Sequence, residues 1–186
     1  WCGYDLSWKD WELSWYKKLL LFSFEKKIEK IKKYLKRKKI NIISNFDLDL
    51  QTINYIDKKV SNYNNFNNLG KFKYKKNFSA GLACLSSLIS RYHETDSVNN
   101  FKNQIPKALK SGCVVYERVI KIIKDINPDQ IITFNSRFVI SKPIVDATKK
   151  LKKKILIHER GSSPKKYMIH NGDIFVKKYY SKMIKS

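Results

Sequence analysis

The sequence predicts an α/β domain, a Rossmann-like parallel sheet flanked by helices, with extra helices at its N-terminal end. Three observations carry that expectation. Two short β-rich runs, Asp129-Gln130-Ile131-Ile132-Thr133-Phe134 and Lys154-Ile155-Leu156-Ile157, lie on either side of a stretch with helical apolar spacing. A strand, a helix and a strand within about thirty residues make a βαβ unit, whose two strands run parallel. The chain has 186 residues, of which 42% are hydrophobic. That is enough to bury one core, and short for two full domains. A single domain over residues 1–186 is therefore expected.

The elements follow in order. Ser7 is placed to cap a first helix, with Asp10 three residues on. Trp8, Trp11, Trp15, Leu19 and Phe22 then recur at helical spacing, and Phe24, Ile28, Ile31 and Leu35 form the apolar face of a second helix. Ile40-Asn41-Ile42-Ile43 reads as a short strand. Residues 58–77, rich in Asn, Tyr and Lys, read as a loop or a solvated insertion. A helix is expected from near Phe78, through Leu82, Leu85 and Ile89, to Arg91, and residues 93–103 form a polar break. Val115, Val119, Ile122, Ile123 and Ile126 mark a helix ending before Pro128. Ser141 and Pro143 are the start signals of the crossover helix, whose buried stripe is Ile144, Ala147, Thr148 and Leu151. Tyr167 to Asp173 reads as a loop.

Charge and cysteine usage narrow the function classes. Lys and Arg number 39 against 16 Asp and Glu, a net charge of +23. An excess of that size favours anionic partners, an acidic membrane surface among them. Lys, Asn and Ile rise together, as they do in AT-rich coding sequence, so the bulk of the charge reads as compositional. Cys2, Cys84 and Cys113 are widely spaced, with no CxxC or Cys/His cluster, so no metal site is expected. An odd, sparse cysteine count fits a reducing cytoplasm. No apolar run approaches the length of a membrane span. The first residue is Trp1 rather than Met, which reads as a piece of a longer protein.

Both strands of the βαβ unit run into polar clusters. The first ends in Asn135-Ser136-Arg137, the second in His158-Glu159-Arg160-Gly161. In a parallel sheet these carboxyl ends share one edge, where ligands of open α/β sheets bind. Each residue type has a use there. Arg137 and Arg160 can fork onto a phosphate or carboxylate. Asn135 and Ser136 can hydrogen-bond sugar hydroxyls. Glu159 or His158 can take a proton from an acceptor hydroxyl. Gly161 lets the chain turn sharply, and His170 follows on a segment able to close over the site. No GxGxxG, P-loop or GxSxG motif occurs, and Asp47-Leu48-Asp49 has the Asp-x-Asp spacing of metal-dependent sugar transferases over three residues only.

The run Ile131-Ile132-Thr133-Phe134-Asn135-Ser136-Arg137, a helix, then Ile157-His158-Glu159-Arg160-Gly161 resembles bacterial capsule and O-antigen glycosyltransferases of the two-Rossmann, GT-B type. In that group one strand ends in Phe-Asn-Gly-Arg and the next in His-Glu-Arg-Gly. The likeness covers roughly Gly112 to Met183, and Ser136 stands where the group has glycine. The resemblance implies the acceptor-side, N-terminal half of an enzyme that moves a sugar from a nucleotide-activated donor to a surface glycan, on the cytoplasmic side of the membrane. Asn135, Arg137, Glu159 and Arg160 match the motifs of the group. Together with the reading of the strand ends, Glu159 and His158 are expected as catalytic residues, and Asn135, Ser136, Arg137, Arg160, Gly161 and His170 as substrate-binding ones. The resemblance implies a nucleotide-sugar as substrate rather than a cofactor, no metal, and a donor-binding domain outside these 186 residues, without which the piece is inactive.

Two other classes compete. A nucleic-acid-binding module is motivated by the net charge and by the Tyr, Phe and Lys interleaved over residues 58–78. It requires a contiguous basic stripe, and nucleic acid is not the expected partner. A non-catalytic α/β interaction domain requires Glu159 and Arg137 to satisfy only each other.

Overall fold

The computed structural model describes residues 15–41, 47–63, 66–92, 103–160 and 167–171, with residues 15–25, 66–67 and 91–92 described by their backbone alone. The chain divides into two compact units, Trp8–Asp47 and Trp1–Ser7 with Leu48–Ser186.

Among its described residues the first unit contains one helix, α1 (Trp15–Arg37). The two helical patterns of the sequence merge into it, because no Gly or Pro interrupts residues 15–37. Lys36 and Arg37 in the last turn meet the negative end of the helix dipole. The helix closes with Lys39 in the left-handed region (φ 57°) and the Ile40 N–H donating to the Leu35 carbonyl at 3.0 Å. Ile40 and Asn41 are in neither helix nor strand. Ile42 and Ile43, like the helix start at Ser7 with Trp8 and Trp11, lie outside the described residues.

The second unit carries the core. Its first helix, α2 (Leu50–Val60), starts at Asp49, whose carboxylate accepts from the Thr52 N–H at 2.7 Å and from the Thr52 hydroxyl at 2.9 Å. Those bonds hold the carboxyl below its ordinary pKa. The Asp-x-Asp spacing is thus a helix cap. The described residues within 58–77 are not a solvated excursion. They include the end of α2, a 3₁₀ turn at Phe66–Lys71, and a tight reversal in which Tyr74 and Phe78 pair. Leu69, Phe72 and Tyr74 are buried, and Tyr63 packs on Phe72 with ring centres 4.1 Å apart. Of the aromatic residues that suggested base stacking, Phe72, Tyr74 and Phe78 are core.

α3 (Ala80–Tyr92) and α4 (Gln104–Ile126) complete the helical layer. α3 buries Ala80, Ala83, Cys84 and Leu88, and turns Leu82 and Ile89 outward. The small residues face in because Gly81 packs against the Leu69 backbone so closely that a Cβ there would overlap the Leu69 carbonyl. α4 is buried mainly along its first half, from Ile105 to Tyr116. Phe78 stacks on Tyr116 at 5.3 Å, and a Cβ on Gly112 would sit 3.1 Å from Phe78 and 3.0 Å from Val139. Burial, with Glu117 nearby, pushes the Tyr116 phenol up to about 12. α4 ends at Asn127, which takes the left-handed conformation (φ 50°) one residue before Pro128.

Among the described residues the sheet has three strands, in the order β1 (Gln130–Phe134), β2 (Lys154–Arg160), β3 (Tyr167–Asn171). α5 (Lys142–Lys150) connects β1 to β2. β1 and β2 are parallel, in register from Gln130↔Lys154 to Phe134↔His158. β3 runs antiparallel to β2, from Leu156↔Asn171 to Arg160↔Tyr167. The result is a small mixed sheet rather than an all-parallel one, and Tyr167 to Asn171 is strand rather than loop.

α5 covers one face of the sheet. Val145 meets Ile155 and Ile157 in an apolar cluster. Asp146, buried, pairs with Lys142 at 2.7 Å and accepts from the Ser79 N–H at 3.1 Å, tying α5 to the start of α3. Ser141 occupies the capping position of α5, yet its hydroxyl accepts from the Phe138 N–H, back in the preceding loop.

Candidate functional site

The candidate site is built where β1 stops. Asn135 follows the last residue of β1, and its N–H still donates to the His158 carbonyl at 3.0 Å, so the ladder to β2 continues one step beyond the strand. Its φ is 60°, a left-handed conformation that Asn adopts more readily than other side-chain-bearing residues. The Asn135 Oδ1 then accepts from the N–H of Ser136 at 2.7 Å and of Arg137 at 2.8 Å. This turn swings the chain off the sheet and delivers Arg137 to the rim. Asn135 and Ser136 are 5% and 1% exposed. Asn135 is therefore a positioning residue, since its carbonyl oxygen is committed to the backbone.

Glu159 lies one residue beyond the last β1–β2 pair and opposite Met168 on β3. It shares the α5-covered face with Ile155 and Ile157. Burial raises its pKa, while the charge on Arg137 is the strongest opposing influence, followed by His158, His170 and a side-chain hydrogen bond from Asn135. The Oε1 atom of Glu159 is buried and has no hydrogen-bond partner. His170 is paired with Ile157 in the β2–β3 ladder, which makes it a diagonal neighbour of Glu159 on the same face. Its Nε2 is also buried and unpartnered. Two unsatisfied polar atoms beside each other are costly unless a further group joins them.

The other candidates divide by the pleat. His158 and Arg160 alternate with Glu159 along β2 and therefore project from the opposite face. The His158 ring lies between Phe134, at 5.7 Å, and Tyr167, on which it stacks at 4.9 Å. The residues thus reach one rim, as the βαβ reading requires, but they do not converge on one point. Asn135, Arg137, Glu159 and His170 gather on one side, and His158 and Arg160 on the other. The physical reason is the two-residue period of a strand, which separates any two adjacent side chains. Gly161 lies outside the described residues, as do His93 and Glu94.

Compared with protein families, with curated proteins and with solved structures, the chain matches none. Its chemistry rests on the site alone.

Among the described residues, no group of three His, Cys, Asp or Glu is placed to hold a metal ion. Among them, too, no helix is long and apolar enough to cross a membrane. Cys84 and Cys113 are buried thiols, and burial pushes Cys113 well above its ordinary pKa. What sequence reading missed is the ring cluster of Phe134, His158 and Tyr167. The signal was present in the β-prone run Tyr167-Met168-Ile169, once it is taken as strand rather than loop.

Proposed function

We propose that this chain is the acceptor-side, Rossmann-like half of a glycosyltransferase that adds a sugar from a nucleotide-activated donor to a surface glycan at the cytoplasmic face of the membrane. The observation that carries the reading is the unpartnered Glu159 Oε1, held beside His170 and Arg137 at the carboxyl edge of a parallel strand pair. A carboxylate with an unfilled acceptor position suits a hydroxyl donor. A carboxyl whose pKa is raised by burial is a stronger base, once ionised, than an ordinary one.

On this reading the acceptor hydroxyl donates to Glu159 Oε1, which has no hydrogen-bond partner in the structure. Glu159 removes the hydroxyl proton as the oxygen attacks the anomeric carbon. Arg137, at the rim, offsets negative charge on the donor's leaving diphosphate. Asn135 holds both Glu159 and the Arg137 backbone in place. His158, expected to be catalytic from its place at the end of β2, faces away from this oxygen and has no step in the scheme.

The test is sugar transfer by the Glu159→Gln variant of the full-length chain, read as nucleoside-diphosphate release with a panel of nucleotide-sugars and glycan acceptors. Loss of about 10²–10⁴-fold in kcat is expected for removal of a general base. Unchanged transfer removes Glu159 from the chemistry and the reading with it.

A further inference from the structure

Among the described residues, the sheet face opposite α5 carries exposed apolar side chains. Ile132 is 65% exposed, Phe134 41%, Tyr167 62% and Ile169 63%. A parallel strand pair is ordinarily covered on both faces, so an apolar face left bare on one side asks for an occupant. Three features of this face describe that occupant.

The first is a row of rings. Phe134, His158 and Tyr167 come from three adjacent strands and touch in sequence, at 5.7 Å and 4.9 Å. They form a band across the sheet about 10 Å wide, two strand spacings. The second is charge. Lys154 and Arg160, both exposed, stand at the two ends of β2 on this face, and by strand alternation no Asp or Glu side chain of the three strands projects there. The third is spacing. Six residues of strand separate the two cations by about 20 Å, with aliphatic and aromatic surface between them. A single-stranded nucleic acid brings an anion at every residue and would leave most of them unmatched on this face. A chain of largely neutral rings with anionic groups at intervals matches it, because sugar rings present C–H faces to aromatic groups and carboxylates to the end cations.

We propose that the open face of the sheet docks an acidic oligosaccharide, its rings on Phe134 and Tyr167 and its carboxylates at Lys154 and Arg160. The inference rests on the glycosyltransferase reading and deepens it by naming the acceptor as a uronate-bearing glycan. The glycan lies along one face of the sheet, and its growing end passes over the rim to Glu159.

Binding of oligogalacturonate to the full-length chain, measured by titration calorimetry against neutral dextran oligomers and oligo(dT), tests it. The uronide is expected to bind more tightly than either, with an affinity that falls as salt rises. Phe134→Ala with Tyr167→Ala is expected to weaken uronide binding about tenfold. Lys154→Gln with Arg160→Gln is expected to weaken it and to flatten its salt dependence. Circular dichroism checks that these surface variants fold. Tighter binding of oligo(dT) or equal binding of dextran overturns the proposal, and so does uronide affinity that survives loss of both rings. Glu159→Gln is expected to keep uronide binding while losing transfer. If the wild type fails to bind uronide yet Glu159→Gln still abolishes transfer, the docking face is wrong and the catalytic reading stands.

Discussion

The two faces of the sheet are made by the same fifteen or so backbone steps, yet they have opposite characters. On the α5 side, Ile155 and Ile157 are buried and Glu159 and His170 keep unsatisfied polar atoms out of water. On the other side, Ile132 and Ile169 lie in water and rings stack in the open. The lesson is that adjacency in sequence is not adjacency in a site. His158 and Glu159 are covalent neighbours and serve different surfaces.

The largest stability contrast should come from the isoleucines. Ile157→Ala empties a fully buried position between α5 and the sheet and should cost about 2–5 kcal/mol. Ile132→Ala, one strand away on the open face, should change stability by less than about 0.5 kcal/mol. Urea denaturation of the two variants compares them directly. Similar losses would mean that something covers the open face in solution.

A middle-sized effect is expected at Asn135. Asn135→Ala removes the acceptor for two backbone N–H groups and puts alanine in a left-handed conformation. A cost of about 1–3 kcal/mol follows from the unsatisfied donors. Asn135→Asp keeps the acceptor and should recover most of that loss. It also sets a second carboxylate beside Glu159, so its transfer activity should stay low even where its stability returns. An Asp variant as unstable as the Ala variant would show that the turn does not depend on the side-chain oxygen.

Sequence reading reached the βαβ unit because Ile131–Phe134, the crossover stripe and Lys154–Ile157 are local signals, each bounded by turn or cap residues. It reached the rim for the same reason. It did not reach the division of the rim between two faces. That depends on register, and on whether β2 continues straight through His158-Glu159-Arg160, which a polar run hides. Which side of α3 faces in was not legible either: Leu82 and Ile89 are larger than Ala83 and Cys84, whereas close approach to the Leu69 backbone selects the small side. Residues 58–77 read as solvated because Asn and Lys outnumber the few anchors, Leu69, Phe72 and Tyr74, that decide their position.

The subtlest expected effect is the pH dependence contributed by Glu159, since its raised pKa is what remains of burial set against the Arg137 charge, the neighbouring His158 and His170 and a hydrogen bond from Asn135. A carboxyl whose pKa is higher folded than unfolded binds its proton more tightly in the folded state. Its favourable contribution is complete below the unfolded value, near the ordinary 4.5, and is lost as pH rises through the folded value. Glutamine carries no such proton. Glu159→Gln should therefore gain stability over the wild type as pH rises from acid towards neutral, and the gap should close again in acid. Arg137→Ala, which removes the strongest opposing charge, should move the wild-type loss to higher pH. Urea titrations of the three proteins at a series of pH values decide the matter. A gap that ignores pH, or a wild type that gains on the Gln variant across that window, would mean that Glu159 is solvated, and the asymmetry between the two faces would then lie in packing alone.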